Sequence, residues 1–202
     1  TYSFVGRDGS VLALRPDFTS LLAKIAAGRL RDRPAPLRLY YSGEVLRYEP
    51  PKAGRQSELH QMGLEHLGGD PAAADAETVA IAAECLERLG ADGWVIALGH
   101  VGVFSGLLGD AGLSPASLES LRDRVEAKDR EGVLALLGRE QVAEETAGAV
   151  ARLTDLAGPV EVLEESKDLF GFCPPAKAAV AELRRLAETM AVAGLGPRLT
   201  HA

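Results

Sequence analysis

Arg38-Leu39-Tyr40-Tyr41-Ser42-Gly43-Glu44-Val45-Leu46-Arg47-Tyr48-Glu49, followed beyond a short loop by Ser57-Glu58-Leu59-His60-Gln61-Met62-Gly63-Leu64-Glu65-His66-Leu67, is the stretch that decides the fold. Its composition predicts strands over 37–41, 44–49 and 57–67. The loop Pro50-Pro51-Lys52-Ala53-Gly54-Arg55-Gln56 separates the last two, because proline cannot continue a central strand. On the strand 57–67 the period of two puts Leu59, Gln61, Gly63, Glu65 and Leu67 on one face and His60, Met62, Leu64 and His66 on the other. Gln61 and Glu65 then lie about 13 Å apart, with a side-chain gap at Gly63 that leaves room for a small ligand on the sheet. Arg47 faces the same space if the register is right. By pattern alone, a solvated sheet face whose glycine marks a bulge is the favoured reading.

Upstream, Tyr2 to Val5 and Val11 to Leu14 flank Arg7-Asp8-Gly9-Ser10, a hairpin signal. Pro16 and Asp17 introduce Leu21, Leu22, Ile25 and Ala26, the stripe of a helix ending near Gly28. Downstream of Asp70 the composition turns to alanine, leucine and glutamate. One helix is predicted from Pro71 to a stop at Gly90, then a strand over 94–98. Further helices are expected over about 101–111, 115–127, 130–137, 140–156 and 175–193, the second capped by Ser114. Strands first and helices later make the chain α+β.

Charge and cysteine content exclude several functions. The 202 residues carry 22 Lys and Arg against 29 Asp and Glu, a net charge of −7, which argues against nucleic-acid or membrane binding by bulk charge. Within 29–55, however, Arg29, Arg31, Arg33, Arg38, Arg47, Lys52 and Arg55 face only Asp32, Glu44 and Glu49. A loop bearing Lys52 and Arg55 suits a phosphate, since guanidinium forks match phosphate oxygens; a solvated basic face is the alternative. Cys85 and Cys173 stand far apart, with no histidine at ligand spacing, so neither a disulfide framework nor a metal site is expected, and a cytoplasmic location is. No apolar run approaches the ~20 residues of a membrane span. His60 and His66 are about 20 Å apart along a strand, too far to share a metal, and His100 is expected to cap the next helix. The chain opens at Thr1, not methionine, and is expected to be a piece of a longer polypeptide.

Leu14-Arg15-Pro16-Asp17-Phe18-Thr19, the block 38–49, Gly54-Arg55 and Leu59-His60-Gln61-Met62-Gly63-Leu64-Glu65 together resemble the catalytic core of histidyl-tRNA synthetases. The closer likeness is to their non-catalytic paralogues, the regulatory subunits of ATP phosphoribosyltransferase. Asp17-Phe18-Thr19 stands where the synthetases have Glu-Gly-Thr, and Leu98-Gly99-His100-Val101-Gly102-Val103-Phe104 and Lys128-Asp129 are similar to segments of the paralogues. The resemblance implies a class II aminoacyl-tRNA synthetase-like fold, an antiparallel sheet flanked by helices. Residues 1–98 would be part of the core and 99–202 a mainly helical insertion with a return to the core. It implies that Arg47 meets an amino-acid carboxylate and a phosphate, that Asp17 and Gln61 lie around the α-amino nitrogen, that Glu65 meets an imidazole, and that Thr19 belongs to the same histidine pocket. Arg55 is the second phosphate candidate.

The departures weigh against catalysis. Ser57 replaces the loop's second arginine, and Leu59 the aromatic residue that stacks on adenine. The family's Tyr-Tyr histidine-binding segment, its last ATP-clamping motif and an anticodon-binding domain have no counterpart in this sequence. The resemblance therefore implies a non-enzymatic subunit without cofactor, metal, tRNA or membrane partner. It would form a homodimer within a hetero-octamer with the short-form catalytic subunit, activate it, and take part in feedback by histidine. The alternatives are a fragment of a histidyl-tRNA synthetase and an orphan synthetase-like protein with another partner.

Overall fold

The computed structural model describes residues 1–48, 56–159 and 161–201, which divide into two compact units, Thr1–Ala74 and Asp75–Ala202. The first opens with the expected hairpin, β1 (Ser3–Val5) pairing antiparallel with β2 (Val11–Ala13). Gly9 takes the turn position at φ +83°, a conformation side chains disfavour. Helix α1 (Thr19–Gly28) follows, burying Leu22. Two ten-residue strands, β3 (Leu37–Leu46) and β4 (Glu58–Leu67), then form an antiparallel pair in which Leu39 faces Glu65, Tyr41 faces Gly63 and Gly43 faces Gln61.

The two strands expected over 37–41 and 44–49 are thus one, ending at Leu46. Gly43 is no turn. It pairs in register, and a Cβ there would stand 2.8 Å from Cζ of Phe18, so the glycine makes room for a ring. Along β3 half-buried Leu37, Leu39, Tyr41 and Gly43 and buried Val45 alternate with exposed Arg38, Tyr40, Ser42 and Glu44, the signature of a sheet covered on one face.

The second unit holds α2 (Pro71–Arg88) beyond its first turn, β5 (Ile96–Leu98), α3 (Val101–Leu108), α4 (Pro115–Glu126), α5 (Arg130–Arg139), α6 (Glu144–Arg152), β6 (Gly158–Pro159), α7 (Val162–Leu169), α8 (Pro174–Val192) and β7 (Leu199–His201). Local chemistry sets several starts and stops. Asp70 accepts from the backbone of Ala73 at the start of α2, and Gly90 at φ +67° ends it. Ser114 caps α4 as expected.

One core gathers Val103, Leu107, Leu121, Val133, Leu137, Val150, Phe170 and Val180; a second gathers Leu98, Leu163, Leu183, Met190 and Leu199. Helices α3 and α8 meet closely at Gly106, where a Cβ would lie 2.8 Å from the backbone nitrogen of Ala176. The helix expected over 140–156 is shorter, because Gln141 reverses the chain at φ +57° before α6 begins. Helix α7 and the pairing of β5 with β7 have no counterpart in the sequence reading. Ile96 to Leu98 run parallel to Leu199 to His201, while β6 joins β7 antiparallel. Among the described residues no helix is long and apolar enough to cross a membrane, no group of His, Cys, Asp and Glu is placed to hold a metal, and both cysteines are free.

Candidate functional site

The covered face of β3 and β4 carries the candidate site. The segment 15–18 is pinned to β3 by three bonds: Leu46 donates its backbone N–H to the Arg15 carbonyl (2.8 Å), and Arg15 donates Nε and Nη2 to the Glu44 carbonyl (2.9 and 2.7 Å). The Arg15 guanidinium lies 4.3 Å from the centre of the Phe18 ring, close enough for a cation–π attraction. That pinning delivers Pro16, Asp17, Phe18 and Thr19 to the sheet.

Two clusters result. Arg47 donates Nε to the Pro16 carbonyl (3.0 Å) and Nη2 to Oε1 of Gln61 (2.7 Å). Further along β4, Thr19 donates its hydroxyl to Oε1 of Glu65 (2.7 Å). Asp17 sits half-buried between Pro16 and Phe18, and among the described residues its carboxylate has no hydrogen-bond or ion-pair partner. The structure therefore brings Thr19 to Glu65 and Arg47 to Gln61, with Asp17 bracketed by the segment that serves both. A cation, a carboxamide and the Glu65 carboxylate on one face can receive a small zwitterion, its charges meeting groups of opposite sign or a dipole. Arg55, with Lys52 and the rest of the loop 50–55, lies outside the described residues.

One expectation is corrected. The gap at Gly63 is not empty: the hydroxyl end of Tyr41 lies directly over the glycine, where a Cβ would collide with it. Tyr41 accepts from Nε2 of Gln61 (2.7 Å) and stacks on Phe18, with ring centres 4.6 Å apart and planes 22° from parallel. Each glycine of the face thus accommodates one ring, Gly43 the tip of Phe18 and Gly63 the phenol of Tyr41. A ligand here lies over rings rather than on bare backbone. Tyr41 and Phe18 were not singled out from the sequence. The signal that finds them is the register, which sets a glycine opposite Tyr41 and another one pair along.

At the positions where the synthetase resemblance implies ATP contacts, the hydroxyl of Ser57 accepts from that of Tyr2 (2.9 Å), and Leu59 is a partly exposed aliphatic side chain. On the opposite face His60 contacts Glu44 through Nδ1 (2.6 Å) and Ser42 through Nε2 (2.9 Å). In the second unit Nδ1 of His100 accepts from the backbone of Gly102 (2.9 Å), the cap expected of it; this leaves Nε2 to donate to Glu182 (3.1 Å).

Comparison with known proteins adds the following. The family model described as histidyl-tRNA synthetase matches residues 1–201. The ATP phosphoribosyltransferase regulatory subunit of Moorella thermoacetica is 38% identical over 194 residues, 96% of this chain and 50% of that protein. The crystal structure of an ATP phosphoribosyltransferase regulatory subunit/histidyl-tRNA synthetase from Bacillus halodurans superposes with a TM-score of 0.85 at 28% identity, covering 99% of this chain and 52% of that one. A chain of the ATP phosphoribosyl transferase (HisG:HisZ) complex from Thermotoga maritima shares the fold, with a TM-score of 0.63 at 15% identity over 98% of this chain and 68% of that one. The chain spans about half the length of the curated relatives it matches.

Proposed function

Because this chain belongs to the histidyl-tRNA synthetase family, with its class II α+β fold, we propose that it acts as the family's regulatory branch does, as a non-catalytic subunit of ATP phosphoribosyltransferase in histidine biosynthesis. The observation that carries this reading is the chemistry beside the pocket. Where an adenylate-forming site needs a second cation and a stacking ring, this face presents Ser57, bonded to Tyr2, and the aliphatic Leu59. The pairing of Thr19 with Glu65 and of Arg47 with Gln61 supports the reading that the amino-acid half persists, with Asp17 as its further member. The resemblance of the chain to the Moorella thermoacetica regulatory subunit supports the same branch.

In this reading the protein assembles in the cytoplasm with a short-form catalytic subunit, as a homodimer within a hetero-octamer. It raises that subunit's activity and takes part in feedback by histidine without cofactor, metal or tRNA. L-Histidine is the ligand of the pocket: its carboxylate meets Arg47, its ammonium Asp17 and Gln61, and its imidazole Glu65. In family terms residues 1–98 belong to the core, and 99–202 form the helical insertion with the return to the core.

The test uses the full-length polypeptide with the short-form catalytic subunit. The two are expected to co-elute as a large complex with faster phosphoribosyl transfer than the catalytic subunit alone. Separate elution with a catalytic subunit fully active by itself refutes the assignment. Histidine-dependent pyrophosphate exchange at about 1 s⁻¹ or faster would instead make the protein a synthetase.

A further inference from the structure

Tyr41 belongs to none of the roles assigned above, yet its side chain is held at three points. Its phenol is seated over Gly63, its ring is stacked on Phe18, and its hydroxyl oxygen accepts from Gln61. Gln61 is held from both ends, Oε1 taking the Arg47 guanidinium and Nε2 giving a proton to Tyr41, each at 2.7 Å. A carboxamide has one accepting and one donating end, and the two are nearly identical in shape. Left to Arg47 alone, the group turns about its terminal torsion, which is broad and soft. Arg47, which can only donate, selects the oxygen end; Tyr41, taking the NH₂ at the other end, is the second anchor that fixes the plane of the group, so the oxygen, with a second lone pair to spare, keeps one setting.

We propose that Tyr41 is a positioning residue, which holds the Gln61 carboxamide so that its oxygen is presented to the ammonium group of an amino-acid ligand. The proposal rests on the reading of this face as an L-histidine pocket. It adds that recognition of the α-amino group is set by a tyrosine reached through a glycine on the neighbouring strand. The ring has no freedom to do otherwise. Phe18 is fixed over Gly43 and under the pinned Arg15, and Phe18 in turn holds the plane of Tyr41.

The experiment compares two ligands by calorimetry on the full-length protein: L-histidine, and 3-(imidazol-4-yl)propionate, which lacks only the amino group. Tyr41→Phe keeps the ring and removes the hydroxyl. It is expected to weaken L-histidine about fivefold, the worth of one ordinary hydrogen bond, and to leave the deamino compound unchanged. In a Gln61→Ala background the same substitution is expected to have no further effect, because the group it positions is gone. An equal loss for both ligands overturns the proposal, since it makes Tyr41 a packing residue only. So does L-histidine binding that weakens in Arg47→Ala but not in Tyr41→Phe. L-Histidine binding indifferent to Arg47→Ala overturns the pocket reading itself, and this proposal with it.

Discussion

At the scale of single residues, the chemistry of the pocket face follows from what two glycines lack. Gly63→Ala places a methyl group on the Tyr41 hydroxyl, and the ring has Phe18 at its face. Overpacking of this kind costs about 1–3 kcal/mol, which a lowered urea midpoint measures; an unchanged midpoint means Tyr41 is free to swing away. The charged groups make a separate claim. A charge-assisted hydrogen bond contributes about 1.5–3 kcal/mol, so Arg47→Ala or Glu65→Gln should weaken L-histidine roughly tenfold in calorimetry of the full-length protein, with circular dichroism unchanged. Affinity that survives both substitutions places the feedback ligand elsewhere. In the first hairpin, Asp8 accepts from the Ser10 hydroxyl (2.6 Å) and from the Ser10 backbone N–H (3.1 Å). These bonds, the hydroxyl first, hold its carboxyl below the ordinary carboxylate value. A carboxyl lowered by folding adds stability above its unfolded value, and that contribution disappears as pH falls through the folded one. Ser10→Ala should therefore move the Asp8 titration upward in NMR. A midpoint that stays put assigns the lowering to the backbone alone.

At the scale of elements, what the sequence shows depends on whether apolar spacing carries the information. The stop of α2 at Gly90, the Ser114 cap of α4 and the His100 cap of α3 were readable because each uses a residue with one strong local preference. The single long β3 was not, because glycine after serine reads as a turn until Phe18 is seen to need the space. Of the site, the face shared by Gln61, Gly63 and Glu65 followed from the period of two. Arg47 came from the same strand pattern, on condition of the register; Thr19 came with the family resemblance, and Tyr41 required the register. Helix α7 escaped notice because its buried stripe, Leu163 and Ser166 leading on to Phe170 just past its end, has a serine at its centre. The Ser166 hydroxyl donates to the Val162 carbonyl of its own helix (2.9 Å), so its burial is satisfied locally, and among the described residues it has no long-range bond. Ser166→Ala should consequently change stability by no more than about 0.5 kcal/mol in denaturant titration, as only a local bond is lost. A loss of several times that would show the hydroxyl to be holding something beyond α7.

At the scale of the whole molecule, the two units are built to different depths. Among the described residues, the buried apolar side chains of 1–74 are Phe18, Leu22 and Val45; the others lie in 75–202. Opening free energy follows buried apolar contact, so amides of α3, α5, α6 and α8 should exchange with deuterium more slowly than those of β3 and β4 in this chain. Equal protection across the two units contradicts that. The parallel pairing of Ile96 with Leu199 sets a further condition, one of timing. As the chain leaves the ribosome, β5 emerges while its partner is still untranslated, and at about 5–20 residues per second the hundred or so residues between them take roughly 5–20 s to appear. For that interval a strand edge waits without its mate. Its three-residue length offers little to a neighbouring nascent chain, and the short edge serves as a safeguard during synthesis.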